Sequence, residues 1–382
     1  MNDILRKITD SIKNLFGGNG KNANGSVLGV DIGSAFIKVV QMKKENGKAV
    51  LETYGSIALG AFANTDAGKV TNLDGENLAK ALIELFKESG ITPSETACVI
   101  PASSSLVFVI SLPANISESI VKDIVPTEAR KFIPVPITEV SLDYFILPKR
   151  EIFDQNPGEM SDPSVIIPEE KTEVLLVAIH NDTVKKYQQA LSGSGIDSSF
   201  LEVELFSQVR SVFIHELAPV LLMDMGASKT KLAIVEYGIV KSVHIINRGS
   251  ADITQNIATT FNISFTEAEK MKMQLGMGGD AGTKELQDSI HLSTEYILSE
   301  TNSIVLHYEK QHNRSISKVI LTGGGVLLHG FFEKAQDNFK CEVVYGNPFY
   351  KVEAPAFLAP TLSSIGPEFS GAVGVALRKL LS

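Results

Sequence analysis

Two stretches set a carboxylate inside an otherwise apolar strand: LGVDIGSAFIK at 28–38 and LMDMGASKTK at 222–231. Superimposing Asp31 on Asp224 aligns Asp-x-Gly, a run of small residues, a lysine seven residues after each aspartate (Lys38 and Lys231), and a turn glycine beyond (Gly47 and Gly238). An aspartate at a strand end can hold a divalent cation through its water shell. The Gly and Ser residues that follow let backbone N–H groups approach phosphate oxygens with no Cβ in the way. Two such turns facing each other would grip a pair of phosphates from opposite sides. One Asp-x-Gly turn is common to many hairpins, so the weight rests on the matched pair, with chance similarity of two hairpins as the competitor. A third element, LTGGG at 321–325, places Gly323, Gly324 and Gly325 between a strand and a helix, where a flat ligand or a phosphate can lie on the backbone. The same run also suits an ordinary strand-to-helix turn.

The elements that must carry these residues are legible from periodicity. VLGVDI, IKVVQMKK and AVLETYGSIAL form a three-strand meander with a hairpin at Asn46-Gly47, and ENLAKALIELFKES puts Leu78, Leu82, Leu85 and Phe86 on one helical face. A second meander begins at VLLMDM, followed by a helix-rich stretch from 250 to 313, then KVILTGGG, CEVVYG and a last helix, FSGAVGVALRKLL. Two related units in one chain predict a duplicated fold with a cleft between the copies. Between the units, 94–190 reads as an insertion of strands and helices with a polar, proline-containing loop inside it. Ser117 opens its first helix, and Pro126 predicts a kink or an early stop there.

At 382 residues the chain exceeds what one hydrophobic core supports. A net charge of −9 argues against a sequence-independent nucleic-acid binder, and a mean hydropathy of +0.11 with no long apolar run argues against a membrane span. Cys98 and Cys341 sit in strand-like runs and read as reduced core thiols. The seven histidines have neither metal-ligand spacing nor cysteine partners, so no protein-ligated metal is expected. At the N-terminus Ile4, Ile8, Ile12, Leu15 and Phe16 recur at helical spacing, followed by the tether-like GGNGKNANG. A membrane surface, a partner protein and the domain itself are all open as the surface this helix touches.

In order, the DIGS hairpin, the DMGAS hairpin and the TGGG turn resemble the phosphate-1, phosphate-2 and adenosine motifs of the actin, sugar-kinase and heat-shock-chaperone ATPase superfamily. Within it the chain is similar to the PilM family of type IV pilus assembly, through VLGVDIGSAFIKVVQM, PASSSLVFVISLP, EARKFIPVPITEVSLDY, LEVELFSQVR, LLMDMGASKTKL, VILTGGGVLLHGF and YGNPF. The resemblance implies an α/β, duplicated actin-like (ribonuclease H-like) two-lobed ATPase fold with an inserted α+β subdomain in the first lobe. The expected division is an N-terminal segment at 1–25, a first lobe at 26–92 with 191–216 and 366–382, and an insertion at 93–190. A second lobe follows at 217–250 with 314–365, its helical subdomain at 251–313.

The resemblance further implies that ATP and Mg²⁺ bind between Asp31, Gly33 and Ser34 on one side and Asp224, Gly226, Ala227 and Ser228 on the other, with both aspartates holding the ion through water. Lys38 would reach the phosphates, although an alternating strand also allows it as a surface residue. Gly323–Gly325 would lie along the adenosine. TEAEKMKMQLG nominates Glu269 and Lys272 for the ribose and adenine, while Thr266 with Glu269 also reads as a capping box. Glu204, in the segment joining the lobes, would orient an attacking water, and Arg210 on the following helix reads as pairing with an acid. PilM-like proteins usually carry a polar or acidic residue after the phosphate-2 threonine; this chain has Lys231 after Thr230, an added cation that favours nucleotide binding with at most slow hydrolysis.

The implied function is a cytoplasmic ATP-binding scaffold of the type IV pilus or a related type II secretion platform, peripheral to the inner membrane. Its implied partner is the cytoplasmic N-terminal peptide of PilN, and pilus assembly ATPases and self-association are admitted. The alternatives are an FtsA-like filament former, disfavoured because RKLLS ends near the last core helix with no membrane-targeting helix beyond it, and a small-molecule kinase.

Overall fold

The computed structural model describes residues 25–92, 95–114, 116–147, 171–196, 198–214, 216–277 and 284–381. The amphipathic N-terminal pattern and the polar stretch at 148–170 lie outside the described residues. The first lobe is built on β1 (Ser26–Ile32), β2 (Phe36–Glu45), β3 (Lys48–Ala58), α1 (Gly75–Glu88) and β4 (Glu95–Ile100). The inserted subdomain follows, with β5 (Ser105–Leu112), α2 (Glu118–Ala129), β6 (Val140–Ile146) and β7 (Thr172–His180). The chain then returns to the first lobe through α3 (Asn181–Gly193), β8 (Ser198–Val203) and α4 (Glu204–Val212).

The second lobe contains β9 (Val220–Met225), β10 (Thr230–Glu236), β11 (Ile239–Ile246), α5 (Ser250–Phe261), α6 (Phe265–Leu275), α7 (Lys284–His312), β12 (Lys318–Thr322), α8 (Phe331–Asn338) and β13 (Glu342–Tyr345). The chain closes with β14 (Val352–Glu353), α9 (Ala359–Ile365) and α10 (Ser370–Leu381).

The duplication is visible in the sheets. The first runs β14-β3-β2-β1-β4-β8 and the second β11-β10-β9-β12-β13, so each has an antiparallel meander whose first strand is flanked by a parallel fourth strand. Asp31 faces Lys38 across β1 and β2, and Asp224 faces Lys231 across β9 and β10. The hairpins beyond end in two-residue turns with both residues in the left-handed region, Asn46-Gly47 and Tyr237-Gly238, the geometry that matches strand twist. β1 is apolar along nearly its whole length because both its faces are covered. Leu28, Val30 and Ile32 pack with Leu78, Leu82 and Leu85 of α1, while Val27 packs with Ala372, Val373 and Ala376 of α10. One core cluster bridges the lobes, in which Leu201, Val203 and Leu205 join Val220, Leu222 and Ala233, while Leu221, Met223 and Leu232 face a separate core of the second lobe. Cys98 is buried, and its burial pushes the thiol well above its usual range; Cys341 is partly buried.

Three expectations are corrected. The insertion is shorter than 93–190: β4 pairs in parallel with β1 and β8, and α3 packs on α1, so 95–100 and 181–190 belong to the first lobe. The stretch to 365 does not stay in the second lobe, since β14 pairs with β3 and Leu362 shares a cluster with Val40 and Met42. In the insertion, α2 does not stop early at Pro126 but continues to Ala129. Val121, Val125 and Ala129 are fully buried against Ile110, Val174 and Leu176 of the β5-β7-β6 sheet, and burial of that face outweighs the one lost backbone bond.

One buried charge cluster ties β8, α4 and α10 together. Glu202 accepts from Arg210 at 2.6 and 2.8 Å and also from Ser207 and Arg378, so Arg210 does pair with an acid. Burial would raise the Glu202 pKa, but the two guanidinium groups outweigh it and hold the carboxyl down to about 2 from 4.5. A depressed carboxylate contributes stability above its unfolded pKa, and that stability is lost as pH falls from about 4.5 towards 2; here it is roughly 3 kcal/mol. Urea midpoints of wild type and Glu202→Gln should therefore differ widely at pH 7, draw closer below pH 4.5 and converge only as the pH approaches about 2. A constant gap would exclude this ion cluster as the source.

Candidate functional site

The two meanders turn towards one another across a cleft of about 490 Å³. Asp31, Gly33, Ser34 and Lys38 line it from the first lobe, and Asp224, Gly226, Ala227, Ser228 and Lys231 from the second. Gly323, Gly324 and Gly325 follow β12 into it, Glu269 and Lys272 come from α6, and Glu204 from the start of α4. Every residue nominated from the sequence thus reaches one cavity.

The two turns are built alike. The amide of Gly33 donates to the Phe36 carbonyl at 2.9 Å, and that of Gly226 to the Lys229 carbonyl at 3.0 Å. Both glycine amides are committed inside their turns, so an anion held there must be met by amides of later residues. The carbonyls of Gly226 and Ala227 in turn accept from Ser250 and Ala251, which seats the start of α5 on the second turn. Each aspartate also rests on a glycine. A Cβ at Gly371, in the first turn of α10, would lie 2.7 Å from Asp31 Oδ2, and one at Gly323 would lie 2.4 Å from Asp224 Oδ1. Gly323 has φ +84°, where any larger residue is strained as well as obstructed.

The electrostatics of the two halves differ. Half-buried Asp31 has its pKa raised by desolvation, with Lys38 and Lys231 pulling it down and Asp224 adding to the rise. Lys38 leans instead towards Glu368, at 3.7 Å. Lys231 binds directly, at 2.6 Å to Asp224 Oδ2 and 3.0 Å to Glu204 Oε2. Burial opposes its charge, but the two carboxylates outweigh burial and raise its pKa. The other oxygen of Glu204 accepts the Ala102 N–H at 2.8 Å. Burial raises the Glu204 pKa and Lys231 opposes the rise.

On the far side of the cleft, Lys272 donates to Glu269 at 2.7 Å and to Thr254 at 2.9 Å. Its pKa is lowered by burial against the pull of Glu269. The expected Thr266–Glu269 capping box is not formed. Ser264 and Glu267 make the box, which leaves Glu269 to the cleft, and the Thr266 hydroxyl donates to Asp66 of the first lobe at 2.8 Å. Glu368, Ser370, Gln208, Met273 and His329 also line the cavity and were not anticipated. Only the GPEFSG run before the last helix, small and polar at a helix start, carried a signal for Glu368 and Ser370.

Two like-ordered sheets, with a matched carboxylate turn on each and a cleft between them, define the actin-like ATPase fold. The structure superposes on the PilM–PilN type IV pilus biogenesis complex with a TM-score of 0.75 at 22% identity, covering 93% of this chain and 98% of that one. It superposes on the ethanolamine utilization protein EutJ of Carboxydothermus hydrogenoformans with a TM-score of 0.53 at 15% identity, covering 98% and 97%. The model of the type IV pilus assembly protein PilM family matches residues 29–380, and the chain belongs to that family. Among curated relatives, the cell division protein FtsA of Bacillus subtilis is 23% identical over 58% of this chain, and that of Staphylococcus epidermidis 26% identical over 65%. The alignments span 55% and 54% of those proteins, about half their length.

Proposed function

We propose that the chain binds Mg²⁺-ATP in the interlobe cleft and acts as a cytoplasmic scaffold of the pilus inner-membrane platform, taking the N-terminal cytoplasmic peptide of PilN in a groove beside the inserted subdomain. One observation carries the nucleotide reading: Asp31 and Asp224, with their cross-strand lysines and glycine-bearing turns, enter a single cavity together with Gly323–Gly325. Two carboxylates from opposite lobes suit a hydrated divalent ion, and glycines leave backbone open to phosphate and adenosine. The ion supplies charge neutralisation for the phosphates.

Asp31 and Asp224 orient its water shell, and Ser34, Ala227 and Ser228 offer backbone donors. Lys38 adds a positive charge, while Glu269 and Lys272 meet the ribose and adenine. Both oxygens of Glu204 are engaged, by Ala102 and Lys231, and one of them must be released before Glu204 can reach an attacking water. The scaffold reading rests on family membership, and no helix among the described residues is long and apolar enough to cross a membrane, so attachment through a membrane-anchored partner fits.

Titration calorimetry with ATP, with and without Mg²⁺, and with a synthetic PilN N-terminal peptide tests both parts. Metal-dependent ATP binding and peptide binding in the low micromolar range or tighter are expected. Absence of peptide binding in every nucleotide state would remove the scaffold assignment.

A further inference from the structure

Glu204 bonds in two directions. Its Oε2 meets Lys231 of the second lobe, which also holds Asp224 at the phosphate end of the cleft, and its Oε1 holds the backbone N–H of Ala102. Ala102 is buried and opens the short 3-10 turn Ala102–Ser104, the link from β4 into β5 and hence into the inserted subdomain. A second seam joins the insertion to the other lobe. Lys241 of β11 pairs with Glu173 of β7 at 2.7 Å, and Ile239 packs with Leu147 and Leu175. The insertion is thus fastened to the first lobe at Ala102 and to the second at β11.

We infer that Glu204 is a positioning residue that transmits occupancy of the cleft to the inserted subdomain: phosphates compete with Glu204 for Lys231, and the change is felt at Ala102. This rests on the nucleotide reading above. A polyphosphate beside Asp224 gives the ammonium of Lys231 a more highly charged partner than one carboxylate, and a ligand shifts a conformational equilibrium only through such differential contacts. Losing the Lys231 contact frees the lobes from one tie across the cleft floor. It also leaves Glu204 held by Ala102 alone, so the backbone entering β5 takes up the rearrangement.

Hydrogen–deuterium exchange of the full chain, with and without Mg²⁺-ATP, reads this directly at residues 103–112. ATP should change exchange there at least fivefold in the wild type. Ala102→Pro removes the N–H and adds two ring carbons at this buried position, which follows Pro101 (ψ 135°) and starts a 3-10 turn, both of which proline accepts. It should bind ATP within about threefold of wild type while the ATP-induced change at 103–112 falls below twofold. A wild-type-sized change in this variant overturns the inference, as does an ATP-bound wild type with no change at 103–112. Should Ala102→Pro lose its cooperative melt, Glu204→Gln serves instead, because its amide oxygen still accepts from Ala102 while the charge that holds Lys231 is gone. The induced change should again fall below twofold, and its persistence overturns the inference. A wild-type protein that binds no ATP at all fails the nucleotide reading first, and this inference with it.

Discussion

Asparagine in place of Asp31 should weaken Mg²⁺-ATP binding at least tenfold, about 1.4 kcal/mol, while raising the melting temperature of the ligand-free protein. The opposite signs come from the same cause. Burial raises the Asp31 pKa, so the folded state disfavours the charged carboxylate. A neutral amide relieves that burden, with an upward shift on the order of 1–2 °C. The amide carries no charge to orient the water shell of a divalent ion, so ligand affinity falls. Stability and binding at Asp31 are therefore set against each other, as is common where a site is strained to meet a ligand. Differential scanning fluorimetry and calorimetry on the same preparations decide it; unchanged ATP affinity removes Asp31 from the site.

Lys231→Met should have the largest effect on folding. The side chains of Lys231, Glu204 and Asp224 are 13%, 8% and 4% exposed, so removing the ammonium strands two carboxylates without a counter-charge. Breaking such a buried set by deleting one partner costs about 3–5 kcal/mol. Adding Glu204→Gln to Lys231→Met removes one stranded charge and should recover part of the loss in urea titrations. If Lys231→Met alone lies within about 1 kcal/mol of wild type, the cluster behaves as an exposed pair would, and water rather than Lys231 compensates the two acids.

Local features were legible in the sequence because their causes are local. Alternation along each strand and a short glycine-led turn, Gly33–Phe36 and Gly226–Lys229, put Lys38 opposite Asp31 and Lys231 opposite Asp224 without reference to the rest of the chain. Features settled by distant partners were not. An apolar segment such as ETACVI suits either the first sheet or the insertion, and only pairing with β1 and β8 decides for the first sheet. In ISFTEAEK two Ser/Thr-x-x-Glu frames overlap, and the frame chosen is the one that starts the helix at Phe265, which is buried. The partners of Glu204 and Lys38 are of this second kind. Ala102 and Glu368 stand far from them in sequence, and no periodicity links them.

The packing of α10 bears on how the molecule comes to be made. This helix closes the second repeat in sequence but lies on β1, β2 and β4 of the first, covering Val27, Val40 and Met42 and supplying Arg378 to Glu202. The first lobe therefore cannot finish folding as it emerges from the ribosome. Its sheet waits with one apolar face open until residues 370–381 have been synthesised, and during that interval the nascent chain depends on chaperones, or on speed, to keep that face from sticking to something else.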